Sequence, residues 1–230
     1  MNLGTSEPWN RGTVERLIAT CQNAVMPFDR LLERIATRLA EPLPGADAQA
    51  RMAPRPRREW PTGFNVARIR QAAALLLITP HQHSAAIVLT VRADALGRHG
   101  GQVSMPGGVI EPDETAAMAA VREAHEEIGL DPSLVHVIGA LTPIDIPVSG
   151  FRLHPIVASV DHRPRFEPDP REVARVIEVP LDDLRDPSRV IWRSMTTEDR
   201  AFEFPAFPHD GAEIWGATAM VLAEFLALLD

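Results

Sequence analysis

The sequence has no lysine and no tyrosine, and all 23 of its basic residues are arginine. A lysine nucleophile, a Schiff-base lysine, a phosphate-loop lysine and a tyrosine acid are therefore excluded for this chain acting alone. There is one cysteine, Cys21, so no disulfide can form within the chain. No apolar run approaches the ~20 residues that cross a bilayer, and the amino terminus lacks the pattern of a signal peptide. We therefore expect a cytoplasmic protein with no membrane partner.

Basic charge is also scarce relative to acidic charge. The 31 Asp and Glu residues outnumber the arginines, and the formal net charge is −8. This balance argues against nucleic acid as a partner, because such binding depends on an excess of basic side chains that meet phosphates. An anionic substrate would need local compensation from a metal ion or from clustered arginines. The chain of 230 residues, 45% of them hydrophobic, is long enough for one large globular domain.

The first third of the chain has its own pattern. Apolar residues recur at helical spacing over residues 13–39, and Pro27 divides this stretch into two predicted helices, the second capped by Asp29. Residues 41–63 are rich in Pro, Ala and Arg, which predicts an extended connector whose arginines are solvated.

These features predict an N-terminal helical extension with its connector over residues 1–65, followed by a second domain over residues 66–230. The apolar faces of the extension are expected to pack on that domain or on a second copy of the chain in a homodimer.

Short apolar runs separated by turns dominate the second part. Runs at 72–79 and 85–91 predict a β-hairpin, and a helix is predicted over 115–128, ended by Gly129. The remaining predicted elements are strands at 135–140, 153–160, 173–179, 190–193 and 201–204 and a closing helix at 215–229. Strands outnumber helices without regular alternation, so we predict a mixed α+β fold and not a doubly wound sheet.

Three carboxylates on the helix 115–128 carry the chemical information. Glu123, Glu126 and Glu127 stand at i, i+3 and i+4, and therefore project from one face of a helix that turns ~100° per residue. Carboxylates this close repel one another and lower the stability of the helix. A hard divalent cation with oxygen ligands would offset that repulsion.

The neighbouring residues fit this interpretation. The Gly107-Gly108 pair lets the loop backbone approach a metal ion, since glycine has no side chain to obstruct it. Arg122 is placed to bridge back to Glu114 and hold the loop against the helix. Small residues leave room on the carboxylate side, namely Ala116, Ala119 and Ala120. The residues expected to anchor the helix in the core are Ala117, Val121, Ala124 and Ile128.

The spacing of this segment is more informative than its composition. A solvated acidic face would explain the hexapeptide 122–127 alone. The full segment reads Gly108, five residues, Glu114, seven residues, Arg122-Glu123-Ala124, one residue, Glu126-Glu127, one residue and Gly129-Leu130. It resembles the Nudix box, G-x5-E-x7-R-E-U-x-E-E-x-G-U with U apolar, at every specified position.

The resemblance to the Nudix family implies an α/β/α sandwich around a mixed sheet, in which the box forms a loop-helix-loop. It implies hydrolysis of a diphosphate that links a nucleoside to another moiety, with Mg²⁺ or Mn²⁺ as cofactor. By position it implies that Glu123, Glu126 and Glu127 are metal ligands and that Glu114 and Arg122 form a structural bridge within the catalytic machinery. The carbonyl of Gly107 or Gly108 is a further implied ligand.

Residues 88–108 are similar to the signature of the coenzyme A diphosphatase branch, roughly L-L-T-x-R-[SA]-x3-R-x3-G-x3-F-P-G-G. There are two departures: Met105 replaces Phe, and Gly97 stands where the pattern has Arg, with Arg98 one position later. The resemblance implies that Arg92 and Arg98 bind substrate phosphates beside Gly107 and Gly108. Guanidinium groups suit this role because they make paired hydrogen bonds to phosphate oxygens.

Two other functions remain open. ADP-ribose is the alternative enzymatic substrate, because Pro147 lies downstream of the box where members acting on ADP-ribose carry a proline. A regulator that binds a nucleotide without cleaving it is the alternative from another class, although the intact acidic triad argues against it. The general base is also open, since Glu126, Glu167 and Glu172 all qualify on chemistry.

Overall fold

The computed structural model of the chain describes residues 26–82, 84–93, 101–197 and 200–230. The α-helices in these ranges are α1 Phe28–Leu39, α2 Gly45–Gln49, α3 Ala116–Ile128, α4 Leu181–Arg185 and α5 Gly216–Leu228. The strands are β1 Arg70–His81, β2 Ser84–Arg92, β3 Val103–Ser104, β4 Gly107–Val109, β5 His136–Ala140, β6 Ile144–Ile146, β7 Phe151–Ser159, β8 Val173–Pro180, β9 Ile191–Thr196, β10 Ala201–His209 and β11 Ala212–Ile214. The first predicted helix, with Cys21, lies outside the described residues.

A mixed sheet of eight strands forms the centre of the fold. β1 forms the predicted hairpin with β2 and runs parallel to β7 on its other side. β4 pairs with the first part of β1 and β3 pairs with the last part of β2, where the two hairpin strands diverge. β8 extends the sheet beyond β2, and β5 and β6 extend it beyond β7. The strand β4 that carries Gly107 and Gly108 therefore lies at the middle of the sheet.

Helices cover both faces of this sheet. Alternate side chains of β1 point to opposite faces, as the period of a strand requires. Leu76 and Ile78 face a core shared with α1 and α5, whereas Leu75 and Leu77 face a core shared with α3. The expected α+β architecture, an α/β/α sandwich around a mixed sheet with an N-terminal helix, is thereby confirmed. No helix within the described ranges is both long and apolar enough to span a membrane.

Two local predictions near the amino terminus are wrong. α1 begins at Phe28 with Pro27 as its N-cap, and Asp29 lies in the first turn without capping it. The reason is that the extended Pro27 already supplies the first carbonyl, which accepts the N–H of Leu31 at 3.0 Å. The connector 41–63 is not extended throughout, because it contains α2 and a 3-10 turn, Ala50–Met52. Its buried residues are Ala48, Gln49, Met52 and Ala53.

A buried carboxylate on α5 fastens this segment to the domain. Glu224 has no solvent exposure. Its Oε1 accepts hydrogen bonds from the backbone N–H groups of Gly45 and Thr142, both at 3.2 Å. Its Oε2 accepts one from Nε2 of Gln49 at 2.8 Å, and the same amide donates to the carbonyl of Thr142 at 2.9 Å. Burial of this charge is tolerated because both of its oxygens are hydrogen-bonded.

We expect the Glu224→Gln substitution to lower the free energy of unfolding by about 1–2 kcal/mol. The new amide nitrogen would face the amide nitrogen of Gln49, so that two donors would meet where a donor now meets an acceptor. Chemical denaturation measures the change. Glu33→Gln on the exposed surface of α1 removes the same charge and should leave stability unchanged, and equal stability of both variants would contradict this account of Glu224.

Candidate active site

The helix α3 is bounded by local signals at both ends, of which Gly129 was predicted from the sequence. Thr115 is the N-cap, and its Oγ1 accepts the N–H of Met118 at 3.2 Å. Gly129 ends the helix with φ of 67°, in the left-handed region that favours glycine. A side chain at Gly129 would also bring its Cβ within 3.0 Å of Glu167 Cβ. The ends of the helix thus agree with the predicted range 115–128 to within one residue.

The four residues predicted to anchor α3 all contact the core, to different degrees. Ala124 and Ile128 are fully buried, together with Ala119 and Ala120, whereas Ala117 and Val121 are partly buried and pack against the same core. The predicted anchoring face is therefore confirmed, and it extends to Ala119 and Ala120. Small side chains at 119 and 120 let the sheet approach that side of the helix, as expected of them.

The three box glutamates lie in different environments. Glu127 is buried with 6% of its surface exposed, the side chain of Glu123 is 16% exposed, and that of Glu126 is 55% exposed. Only Glu123 and Glu127 therefore lie in the narrow space between α3 and the sheet.

The two glycines of β4 are required by close contacts. A Cβ on Gly108 would lie 2.4 Å from Oε1 of Glu123. A Cβ on Gly107 would lie 2.3 Å from the carbonyl oxygen of Ala73 and 2.6 Å from Cα of Ala74. The backbone N–H of Gly107 donates to Oε2 of Glu127 at 3.3 Å. β4 is thus held between β1 and the carboxylates of α3, and its backbone is part of the site.

Arg122 connects the loop to the helix, as the sequence led us to expect. Its Nε and Nη2 donate to the two oxygens of Glu114 at 2.8 and 3.1 Å. Nη1 donates to Glu123 at 2.9 Å and to Glu126 at 3.0 Å, and Nη2 also donates to the carbonyl of Val109 at 3.0 Å. All five guanidinium N–H groups therefore have acceptors. The hydrogen bonds from Arg122 hold the pKa of Glu114 below its ordinary value.

The pKa shifts of Glu123 and Glu127, the two inner glutamates, have the opposite direction. Burial, with smaller contributions from the carboxylates of Glu123 and Glu172, raises the pKa of Glu127 to about 7. The hydrogen bond from the Gly107 N–H acts in the opposite direction and lowers this pKa. Burial also raises the pKa of Glu123, despite its hydrogen bond from Arg122. Both pKa values rise because burial disfavours the negatively charged form of a carboxyl group that has few compensating partners.

These carboxylates fit a hard cation by their chemistry. Across the described ranges, no three His, Cys, Asp or Glu side chains already converge as metal ligands, and Arg122 holds one oxygen each of Glu123 and Glu126. The buried Glu127 has one N–H partner, at 3.3 Å, and lies within electrostatic reach of two further carboxylates. A divalent cation with oxygen ligands would relieve this accumulation of negative charge. Glu123 and Glu127 are the carboxylates placed to hold it, and the carbonyl of Gly107 stays a predicted ligand.

Arg92, at the end of β2, lies within electrostatic reach of Glu127. Its charge lowers the pKa of Glu127, partly opposing the effect of burial. Its backbone N–H donates to the carbonyl of Gln102, and its carbonyl accepts the N–H of Gly101, both at 3.0 Å. Its Nε is buried and has no hydrogen-bond partner in the part of the chain that the structure describes. Gly97 and Arg98 lie outside that part, so the role of Arg98 stays a prediction.

The loop 167–172 brings a further carboxylate to the site. Its backbone is hydrogen-bonded to the end of α3, with the N–H of Glu167 on the carbonyl of Ile128 at 2.8 Å and that of Asp169 on the carbonyl of Glu127 at 2.9 Å. The carbonyl of Glu172 accepts the N–H of Ala93 at 2.9 Å. Glu172 therefore lies near enough to influence Glu123 and Glu127, whereas the side chain of Glu167 is 72% exposed.

The sequence left Glu126, Glu167 and Glu172 open as candidates for the general base, and the structure distinguishes their surroundings. Glu126 is engaged by Arg122, Glu167 points to solvent, and Glu172 adjoins the inner carboxylates. The sequence carries no spacing signal for this, because the position of Glu172 depends on the docking of a distant loop onto α3.

Comparisons with known proteins agree with this site. The NUDIX domain family model matches residues 68–198. The protein called "Uncharacterized Nudix hydrolase NudL" from Pectobacterium atrosepticum is 34% identical over 154 residues, covering 66% of this chain and 79% of the relative. Its namesake from Yersinia pestis (strain Pestoides F) is 35% identical over 154 residues, covering 66% and 76%.

Among solved structures, that of RenU, a Nudix hydrolase from M. smegmatis, is 30% identical, covers 50% of this chain and 72% of that one, and has a TM-score of 0.40. The family-model match spans more than half of the chain and contains the whole box segment with its buried Glu127. The chain therefore belongs to the Nudix hydrolase family, whose members are pyrophosphohydrolases that act on nucleoside diphosphate derivatives and generally use divalent cations.

Proposed function

We propose that this hydrolase cleaves the diphosphate bond of coenzyme A or its acyl derivatives, yielding 3′,5′-ADP and (acyl-)4′-phosphopantetheine, with Mg²⁺ or Mn²⁺ as cofactor. The position of Arg92 carries the proposal. This residue belongs to the segment that resembles the coenzyme A branch signature. It also places a cation within electrostatic reach of the buried Glu127. A guanidinium makes paired hydrogen bonds to phosphate oxygens, which suits a substrate diphosphate at this position.

The side chains divide the work as follows. Glu123, Glu127 and the Gly107 carbonyl would hold the divalent cation, which supplies charge neutralisation and lowers the pKa of a bound water. Arg122 orients Glu123 and ties the loop to α3 through Glu114. Arg92 positions the diphosphate. Hydrolysis adds the oxygen of water to one phosphorus and breaks its bond to the bridging oxygen.

The released proton needs a carboxylate acceptor near the inner glutamates. Glu172 is the candidate we favour, because it adjoins Glu123 and Glu127 and its backbone is fastened to the end of β2. Glu126 is less suited to accept this proton, since one of its oxygens already accepts a hydrogen bond from Arg122.

A screen of diphosphate substrates with Mg²⁺ or Mn²⁺ tests the substrate. We expect kcat/KM for coenzyme A to exceed that for ADP-ribose by at least about tenfold, because a site with groups for the extra phosphate discriminates against a substrate that lacks it. NADH and acyl-coenzyme A complete the panel. Faster cleavage of ADP-ribose would replace the substrate and leave the family unchanged. Tight binding without turnover of any compound would favour the non-hydrolytic regulator.

A further inference from the structure

An open groove of about 610 Å³ lies along the outer strand β8, between that strand and the loop 163–168. Its volume is in the range of small-molecule sites. In the described part of the sheet, β8 pairs with β2 alone, so its other side is not covered by a strand. We name this feature the arginine groove, because Arg163, Arg165 and Arg175 line it.

The arginine groove begins where the box carboxylates end. The loop residues that follow it are hydrogen-bonded to the end of α3, including the N–H of Asp169 to the carbonyl of Glu127 at 2.9 Å. On the strand side, the lining of the groove begins at Ala174. The preceding residue, Val173, pairs with Arg92, and Glu172 comes before it. The loop 167–172 and the start of β8 therefore connect the groove to the segment that carries Glu127 and Arg92.

Arginines outnumber acidic residues in the lining of the groove. Three arginines and one acidic residue, Glu178, line it, although the chain has a net charge of −8. Arg163 is paired with Glu178, with three donor contacts between 2.6 and 3.0 Å, and Arg175 is paired with Asp210.

Arg165 is the arginine available to a ligand. Its side chain is 90% exposed, and its ion pair within the described residues is a long contact of 3.7 Å to Glu167. The adjacent Phe166 is partly buried, packs against the core under α3 and contributes its ring to the groove lining. The groove thus combines an exposed guanidinium with a partly buried aromatic side chain.

We propose that the arginine groove binds the 3′-phosphorylated nucleoside half of the substrate, with Arg165 contacting the 3′-phosphate and Phe166 lying beside the base. This inference rests on the proposed function. Of the two halves that coenzyme A hydrolysis separates, 3′,5′-ADP carries a phosphomonoester and an aromatic base, whereas the pantetheine arm is uncharged. Only the first matches a groove of arginines with an aromatic side chain.

The test compares kcat/KM for coenzyme A and for 3′-dephospho-coenzyme A in the wild type and in Arg165→Ala. The wild type is expected to prefer coenzyme A. Arg165→Ala should lower kcat/KM for coenzyme A roughly five- to tenfold, because it removes a charge-assisted contact that is partly screened by solvent. The value for 3′-dephospho-coenzyme A should not change. The preference of the wild type should also weaken as ionic strength rises.

Arg30→Ala serves as the matched control, since Arg30 is an exposed arginine of α1 and its loss changes the net charge equally. Arg165→Glu should reduce the preference further than Arg165→Ala. If the wild type cleaves both compounds but Arg165→Ala alters their rates equally, or alters neither, the arginine groove is not the nucleoside site and the proposed function stands. If the wild type cleaves neither compound, the proposed function and this inference both fail.

Discussion

The Glu127→Gln variant is expected to lose about three orders of magnitude in kcat with Mg²⁺ or Mn²⁺, and to be more stable than the wild type once divalent cations are removed. Activity falls because a neutral amide is a poor ligand for a hard cation. Stability rises because the wild-type carboxylate is buried near Glu123 and Glu172 and accepts, among the described residues, one N–H, from Gly107 at 3.3 Å. Steady-state kinetics and chemical denaturation in a chelator measure the two effects.

The pH dependence of the second effect follows from the pKa of Glu127. Folding raises this pKa from 4.5 to about 7, so the folded protein retains a proton that the unfolded chain has released. The free energy of unfolding contributed by this group therefore falls as pH rises from 4.5 to 7, and stays low above 7. The difference corresponds to a penalty on the order of 3 kcal/mol, which the glutamine variant lacks. Without cations, we expect the variant to exceed the wild type at pH 8 and to equal it near pH 4.5.

Glu126→Gln provides the comparison within the same helix. Its carboxylate is 55% exposed, so the substitution removes an equal charge without relieving a buried one. Its stability without cations should follow the pH profile of the wild type. A Glu127→Gln protein that is less stable than the wild type at pH 8 would show that the buried charge is compensated in a way that our account lacks.

The sequence was sufficient where a feature depends on neighbours along the chain. The ends of α3 follow from Thr115 and Gly129, and the ion pair of Arg122 with Glu114 follows from the eight-residue spacing of a loop folded back on its helix. The hairpin of β1 and β2 and the closing helix α5 follow from the same kind of local periodicity. Short-range geometry gives these features little freedom.

Features that depend on distant contacts were not predictable. The helix α2 consists of five residues within a stretch rich in proline and alanine, and its burial depends on Glu224, about 180 residues later in the chain. The nearness of Glu172 to the inner glutamates requires the loop 167–172 to dock on α3, and no periodicity encodes that contact.

Substitution by alanine should affect different properties at the two adjacent glycines of β4, catalysis at Gly108 and stability at Gly107. Neither has a positive φ, so available space alone excludes a side chain at these positions. A methyl group at Gly108 would lie 2.4 Å from the carboxylate of Glu123, which is the end of a flexible side chain. A methyl group at Gly107 would lie 2.3 Å from the carbonyl oxygen of Ala73 and 2.6 Å from Cα of Ala74. These are backbone atoms of the central strand β1.

Gly108→Ala is therefore expected to lower kcat by about two orders of magnitude while changing the free energy of unfolding by less than about 1 kcal/mol, since Glu123 can turn away at the cost of its place in the site. Gly107→Ala is expected to lower the free energy of unfolding by roughly 3 kcal/mol or more, because β1 and β4 must separate to admit the new atom. Denaturation curves and kcat on each purified variant separate the two outcomes. Equal stability losses would mean that Glu123 is as rigid as the strand opposite it, and an unchanged kcat in Gly108→Ala would remove Glu123 from the catalytic machinery.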